Sequence, residues 1–221
     1  MSFSFSFNLE LDDVDQDNRT ADCHPVPLDS EDCSMNNNLI PCFEVKCPQQ
    51  LVDHAISAEF SVHIVGELVF KEALNASPDN NFDEESDLIP GKYEGGFKIW
   101  ECSHDLGCII AGSTGILPPN PKKILELGCG HGLPAIISMS TFDDLTEVVF
   151  SDFNSEVLEA TTWPNILLNC PQQCDNVRCI AGDWASLSSL IGNYDLILSA
   201  ETLYTVESCR KVITILISMR F

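Results

Sequence analysis

The chain has 221 residues, enough for one sizeable core with an appendage. Its net charge of -23 is uneven, with 19 acidic against 3 basic residues over 1–90 and 15 against 8 over 91–221, which excludes direct binding of nucleic acid and leaves the acidic front as a solvated tail or a surface for a basic protein. Eleven cysteines without a C-x-x-C pair argue for free thiols rather than a zinc knuckle, and no stretch approaches the ~20 apolar residues of a membrane span.

Met1–Leu9 alternates Ser and Phe and then meets acids, without the basic and apolar regions of a secretory signal; a soluble protein of the cytoplasm or nucleus, the nucleolus included, is expected. Residues 1–50 are rich in Asp, Asn, Pro and Ser, cannot bury enough surface to offset chain entropy, and are expected to be mostly disordered. Residues 51–90 form a partly ordered linker: Ile64, Val65, Leu68 and Val69 predict a short strand or two, followed by a turn-rich acidic stretch.

From Gly91 to Phe221 short apolar runs alternate with helix-length segments, which predicts βα units around a mostly parallel, doubly wound sheet. Helices are expected at 103–111, after Gly132, over 155–169, briefly after Trp184 and from Val206 onward. Strands are expected at 123–127, 147–151, 177–181 and 195–199. In such a sheet a ligand lies outside the carboxyl ends of the strands, where their order reverses.

Glu126-Leu127-Gly128-Cys129-Gly130-His131-Gly132 turns a buried strand into a helix through glycines that let a ligand lie against the main chain. A dinucleotide fingerprint needs G-x-G-x-x-G, but position 133 is Leu and the third glycine comes one residue early. The E-x-G-x-G-x-G spacing instead resembles the first motif of class I methyltransferases, whose cofactor is S-adenosyl-L-methionine. About twenty residues on, Asp152 either accepts from both ribose hydroxyls or caps the next helix. Asp183 and Trp184 either flank an adenine ring or are a cap beside a core aromatic. Ser199, Glu201 and Tyr204 end the fourth strand towards the same crevice. Upstream, Glu101 is a candidate for the cofactor's ammonium and Trp100 for a cation–π contact with its sulfonium; the alternative is a helix start with a core Trp. His131 is read as loop filler.

Ser86-Asp87-Leu88-Ile89, Tyr93-Glu94-Gly95-Gly96 and Lys98-Ile99-Trp100-Glu101-Cys102 together resemble the signature of the protein-histidine methyltransferase family. The phenylalanine-rich start, Asp152-Phe153-Asn154-Ser155, Pro164-Asn165, Gly182-Asp183-Trp184 and Ser199-Ala200-Glu201-Thr202 are similar to it too. That resemblance implies transfer of a methyl group from S-adenosyl-L-methionine to a histidine ring nitrogen of a basic large-subunit ribosomal protein, by a monomer. It implies cofactor contacts at Trp100, Glu101, Ser103, Gly128, Gly130, Asp152, Asn154, Asp183, Trp184 and Ser199, and it identifies no catalytic base. A non-catalytic binding module and a lysine-modifying member of the same class are the alternatives. The resemblance also implies seven strands, and Phe221 falls in the helix after the fourth, so a domain incomplete at its C-terminus is expected, from a truncated gene product rather than a short isoform.

Overall fold

The chain divides into two units, Met1–Asn36 and Asn37–Phe221. The computed structural model describes residues 40–48, 59–74, 95–112 and 115–218, all within the second unit. Most of the expected tail, the linker outside 59–74 and the motif residues Ser86–Ile89, Tyr93 and Glu94 lie outside the described residues.

A five-stranded sheet has the order β1-β6-β5-β4-β7, built from β1 (Phe43–Val45), β4 (Lys123–Leu127), β5 (Glu147–Asp152), β6 (Val177–Ala181) and β7 (Leu196–Ser199). All pairs are parallel except β1 with β6. Strand β4 is an interior strand, between β5 and β7, and both of its faces are covered: Ile124, Leu125 and Leu127 are fully buried. Period-two alternation sorts them, Ile124 and Val148 into one core, and Leu125, Leu127 and Val149 into the other.

The first core is closed by α1 (Glu101–Ala111), α2 (Leu133–Thr141) and a helical stretch made of α3 (Ser155–Val157), a π-helical turn (Leu158–Thr162) and α4 (Trp163–Asn169). The second is closed by α5 (Trp184–Leu187) and α6 (Val206–Ser218), through Leu187, Val212 and Ile215. Helices on both faces make this the doubly wound α/β sheet that the alternation predicts. Because β4 is followed on one side by β5 and on the other by β7, the order reverses at β4, and the glycine loop leaves the sheet at that switch point.

Two segments depart from the expected boundaries. Residues 40–48 were expected within a disordered tail, yet β1 pairs antiparallel with β6, Phe43 opposite Ala181 and Val45 opposite Cys179. Trp163 Nε1 donates to the Val45 carbonyl at 3.1 Å, so a buried indole finds its acceptor on this edge strand. The hairpin of β2 (Phe60–Val65) and β3 (Leu68–Ala73), expected as linker, buries Val65 and Phe70 in the first core against α1, α2 and α4. Asn165 and Asn169 accept from the main-chain N–H groups of Ala73 and Lys71, both at 2.8 Å, which gives one edge of the hairpin its hydrogen bonds. The globular unit therefore begins well before Gly91.

Candidate functional site

A cleft of about 340 Å³ opens at the carboxyl ends of β4, β5, β6 and β7. Its floor is the loop from Gly128 to Gly132. Gly128 has φ +64°, and a Cβ there would stand 2.5 Å from Thr202 Cγ2 and 3.5 Å from the Trp184 ring. Gly130 has φ +48°, and a Cβ would press to 3.1 Å from the Gly96 carbonyl. Both the left-handed backbone and the close neighbours demand glycine. Thr162, brought round by the π-helical turn, donates to the Gly130 carbonyl at 2.6 Å and fixes the loop from beneath.

Asp152 ends β5 and is 4% exposed. Its Oδ2 accepts from Gly130 N at 3.0 Å and its Oδ1 from Asn154 N at 3.1 Å. This geometry orders the loop around a carboxylate that also lines the cleft. Glu126 lies deeper, with Ala135 N donating to it at 3.0 Å; burial pushes its carboxyl up to about 8, with Asp152 adding to the rise and the Ala135 N–H opposing it.

At the end of β6, Asp183 caps α5 by accepting from Ala185 N at 2.9 Å, the capping role weighed for it in the sequence. Its other oxygen is 2.9 Å from Lys211 Nζ, which also pairs with Glu207 at 2.8 Å. Trp184 lines the cleft, and its buried Nε1 has no hydrogen-bond partner among the described residues. Trp100 and Ser103 form the opposite rim. The Trp100 indole donates to the Gly95 carbonyl at 3.0 Å, and Lys98 Nζ lies 4.8 Å from the ring centroid, so a protein cation already covers the ring.

Of the ten residues marked by the sequence, Trp100, Ser103, Gly128, Gly130, Asp152, Asp183 and Trp184 meet in this cleft. Glu101, Asn154 and Ser199 do not line it. Glu101 is exposed in the first turn of α1, where a carboxylate complements the helix dipole. Asn154 contributes its main-chain N–H to Asp152. Ser199 pairs with Thr202 and faces an adjoining depression that also holds Cys102 and Leu106.

The two hollows share Ala200, Glu201, Thr202 and Tyr204. Glu201 has φ +54°, a left-handed conformation that a side chain adopts at a cost and that concentrates at functional positions. Burial first, and then the Glu201 carboxylate beside it, push the Cys102 thiol up to about 11, so Cys102 is no thiolate nucleophile at neutral pH. Lys211 and Ile40, which also line the cleft, carry no local sequence signal: the lysine arrives from α6 and the isoleucine from the turn before β1.

A family model described as "Lysine methyltransferase" matches residues 92–220, more than half of the chain. The chain belongs to this methyltransferase family. Within the family it is similar to proteins named for histidine. It is 41% identical over 131 residues to a "Histidine protein methyltransferase 1 homolog" of Dictyostelium discoideum, covering 58% of this chain and 40% of that protein. It is 31% identical over 235 residues to the homolog of Rattus norvegicus, covering 89% of this chain and 63% of the relative. A "Histidine protein methyltransferase 1" of Schizosaccharomyces pombe is 31% identical over 175 residues, 60% of this chain and 50% of that protein. The chain thus spans 40 to 63% of the length of these relatives.

The cofactor of the family is S-adenosyl-L-methionine, and the cleft fits it. A glycine floor that has no room for a Cβ at Gly128 and little at Gly130, a nearly buried carboxylate at the end of the second parallel strand, and an indole whose N–H has no partner among the described residues suit a ligand with a ribose and a purine.

Proposed function

We propose that the chain carries the cofactor site of an S-adenosyl-L-methionine-dependent protein-histidine methyltransferase that acts on a basic large-subunit ribosomal protein. The observation that carries this reading is the junction at Glu201, where the glycine-floored cleft meets a second hollow at residues 200–204. Two reactants that exchange a methyl group need such adjoining hollows.

When bound, the cofactor supplies a methyl group already activated on a sulfonium. The chain's own contribution is then position, which converts a bimolecular encounter into a local one. Gly128 and Gly130 would hold the methionine and ribose portion against the main chain, Asp152 would accept from the ribose hydroxyls, and Trp184 would pack against the purine. Glu201, at the junction, orients the acceptor imidazole by accepting from its N–H, which leaves the other nitrogen's lone pair facing the methyl group. The methylated ring is then a cation, and it returns to neutral by giving that N–H proton to water. A basic partner suits the net charge of -23, and such a partner places the protein in the cytoplasm and nucleus.

A lysine acceptor is the second reading, favoured by the description of the matching family model. The test is to measure S-adenosyl-L-methionine binding to the 221-residue chain by calorimetry, and then transfer of a labelled methyl group to histidine- and lysine-containing peptides from a ribosomal protein. Binding with label on histidine supports the first reading and label on lysine the second. Absence of binding both by this chain and by a version extended to the length of its relatives sinks both.

A further inference from the structure

Outside the cleft's own wall, a polar cluster links the β2–β3 hairpin to the glycine loop. Glu72 of β3 is half-buried, and its Oε2 accepts from Ser61 at 2.7 Å and lies 2.7 Å from His63 Nε2. Its other oxygen, Oε1, is 3.5 Å from Nδ1 of His131, the residue between Gly130 and Gly132. His131 is 7% exposed, and its main chain is held as well, since Asn165 Nδ2 donates to the His131 carbonyl at 3.0 Å. Asn165 also accepts from Ala73 N, so hairpin, helix and loop share one set of polar contacts.

We propose that Glu72 is a positioning residue for the cofactor loop, its carboxylate anchored by Ser61 and His63 on one oxygen and holding the His131 imidazole with the other. The inference rests on the cofactor reading above and extends it to a segment that the family model does not match, since that match begins at residue 92.

Three physical points support it. Burying a carboxylate beside an imidazole is costly unless both are hydrogen-bonded, and here one oxygen has two partners while the other faces a ring nitrogen. Burial lowers the pKa of His131 against the opposing pull of the Phe97 backbone and Glu72, so the ring is held neutral, and its Nδ1 is faced by the Glu72 carboxylate at 3.5 Å and by Asn165 Nδ2 at 3.4 Å, which fixes the ring between hairpin and helix. The hairpin itself is fixed, through Val65 and Phe70 in the core and through two asparagines on its main chain, so what it holds does not drift. His131 is thereby more than filler. It is the side chain by which the loop is gripped.

The test uses the full 221-residue chain. E72Q and H131Q are each expected to weaken S-adenosyl-L-methionine binding about tenfold, and the double variant no more than either single one, because they remove the same contact. Glu67→Gln, exposed at the hairpin turn, is expected to bind as the unmodified chain does. ¹⁵N spectra of the unliganded protein are expected to show the His131 ring-nitrogen signals and the Gly130 and Gly132 amide signals shifted in E72Q. Binding by folded E72Q within twofold of the unmodified chain overturns the proposal. If E72Q does not fold, H131Q decides by the same criterion, since it leaves Glu72 anchored to Ser61 and His63. If the unmodified chain binds no S-adenosyl-L-methionine, the cofactor reading fails and the spectra decide: unmoved His131 ring signals and unmoved glycine amides in E72Q overturn the positioning role.

Discussion

Asp152→Asn is the sharpest test of the cleft, because the substitution preserves shape and changes only what the side chain can accept. In the native protein both oxygens are occupied from the main chain, Oδ2 by Gly130 N at 3.0 Å and Oδ1 by Asn154 N at 3.1 Å, in a side chain that is 4% exposed. An amide has one oxygen, so one of those N–H groups must face an NH₂, and a buried donor left unpaired costs about 1–3 kcal/mol. That loss falls on the folded protein with or without ligand and lowers its melting temperature by roughly 2–4 °C per kcal/mol. The ribose hydroxyls lose a charged acceptor as well, and charge-assisted hydrogen bonds are about twice as strong as neutral ones. Displacement of the Gly130 loop and the weaker ribose bonds together remove about 1.4–2.8 kcal/mol of binding, a 10- to 100-fold rise in Kd. Titration calorimetry with S-adenosylmethionine and with S-adenosylhomocysteine reads this directly. Both ligands should lose affinity because both carry the same ribose, and S-adenosylmethionine should lose the more, because only it carries the sulfonium charge that Asp152 also attracts. A folded Asp152→Asn protein that binds within threefold of the unmodified chain would refute the ribose role.

Gly128→Ala should abolish cofactor binding and lower stability. The left-handed backbone costs a side chain about 1–2 kcal/mol, and its Cβ would meet Thr202 Cγ2 at 2.5 Å; calorimetry showing native affinity would remove this glycine from the site. Glu126→Gln should flatten the pH dependence of stability. The folded carboxyl titrates at about 8 against an ordinary value of 4.5, so between those values the folded state holds a proton that the unfolded state has released, and stability falls as pH rises by about 1.4 kcal/mol per unit. Urea denaturation at pH 6 and pH 8 checks this: the unmodified chain should lose about 2 kcal/mol more than Glu126→Gln, and equal losses would show that Glu126 does not titrate there.

Where neighbouring residues carry the information, the sequence was readable. Strands 123–127 (Lys123-Ile124-Leu125-Glu126-Leu127) and 177–181 (Val177-Arg178-Cys179-Ile180-Ala181) are short, mostly apolar segments between turn-forming residues, and they appear in the sheet with those limits. The glycine spacing located the loop, and counting about twenty residues on located Asp152. Strand β1 escaped because it has three residues and its partner lies well over a hundred positions away. The limits of the site were blurred for a geometric reason. Successive helical residues turn by about 100°, so with Trp100 and Ser103 at the rim, Glu101 points elsewhere. Lys211 and Glu72 reach the site only through tertiary folding, and no local pattern announces a contact of that kind.

Besides Glu72 and Glu207, four carboxylates among the described residues stand around the glycine loop, and their surroundings divide the work among them. Lys211 neutralises Asp183, whose second oxygen caps α5. Glu126 is pushed towards its protonated form by burial. Asp152 is held in place by peptide N–H groups, which are dipoles rather than ions, and its charge helps raise Glu126. Glu201 stands at the junction of the two hollows in a left-handed conformation. The negative field that a cationic cofactor meets on entering therefore comes from Asp152 and Glu201, together with the one charge that Lys211 leaves uncompensated on its two partners Asp183 and Glu207. Asp183 shapes the pocket more than it charges it, so an exocyclic amine approaching Asp183 shares the carboxylate with Lys211 and gains a neutralised acceptor. The larger electrostatic share of binding then falls on Asp152, which is why its isosteric amide is the substitution that discriminates.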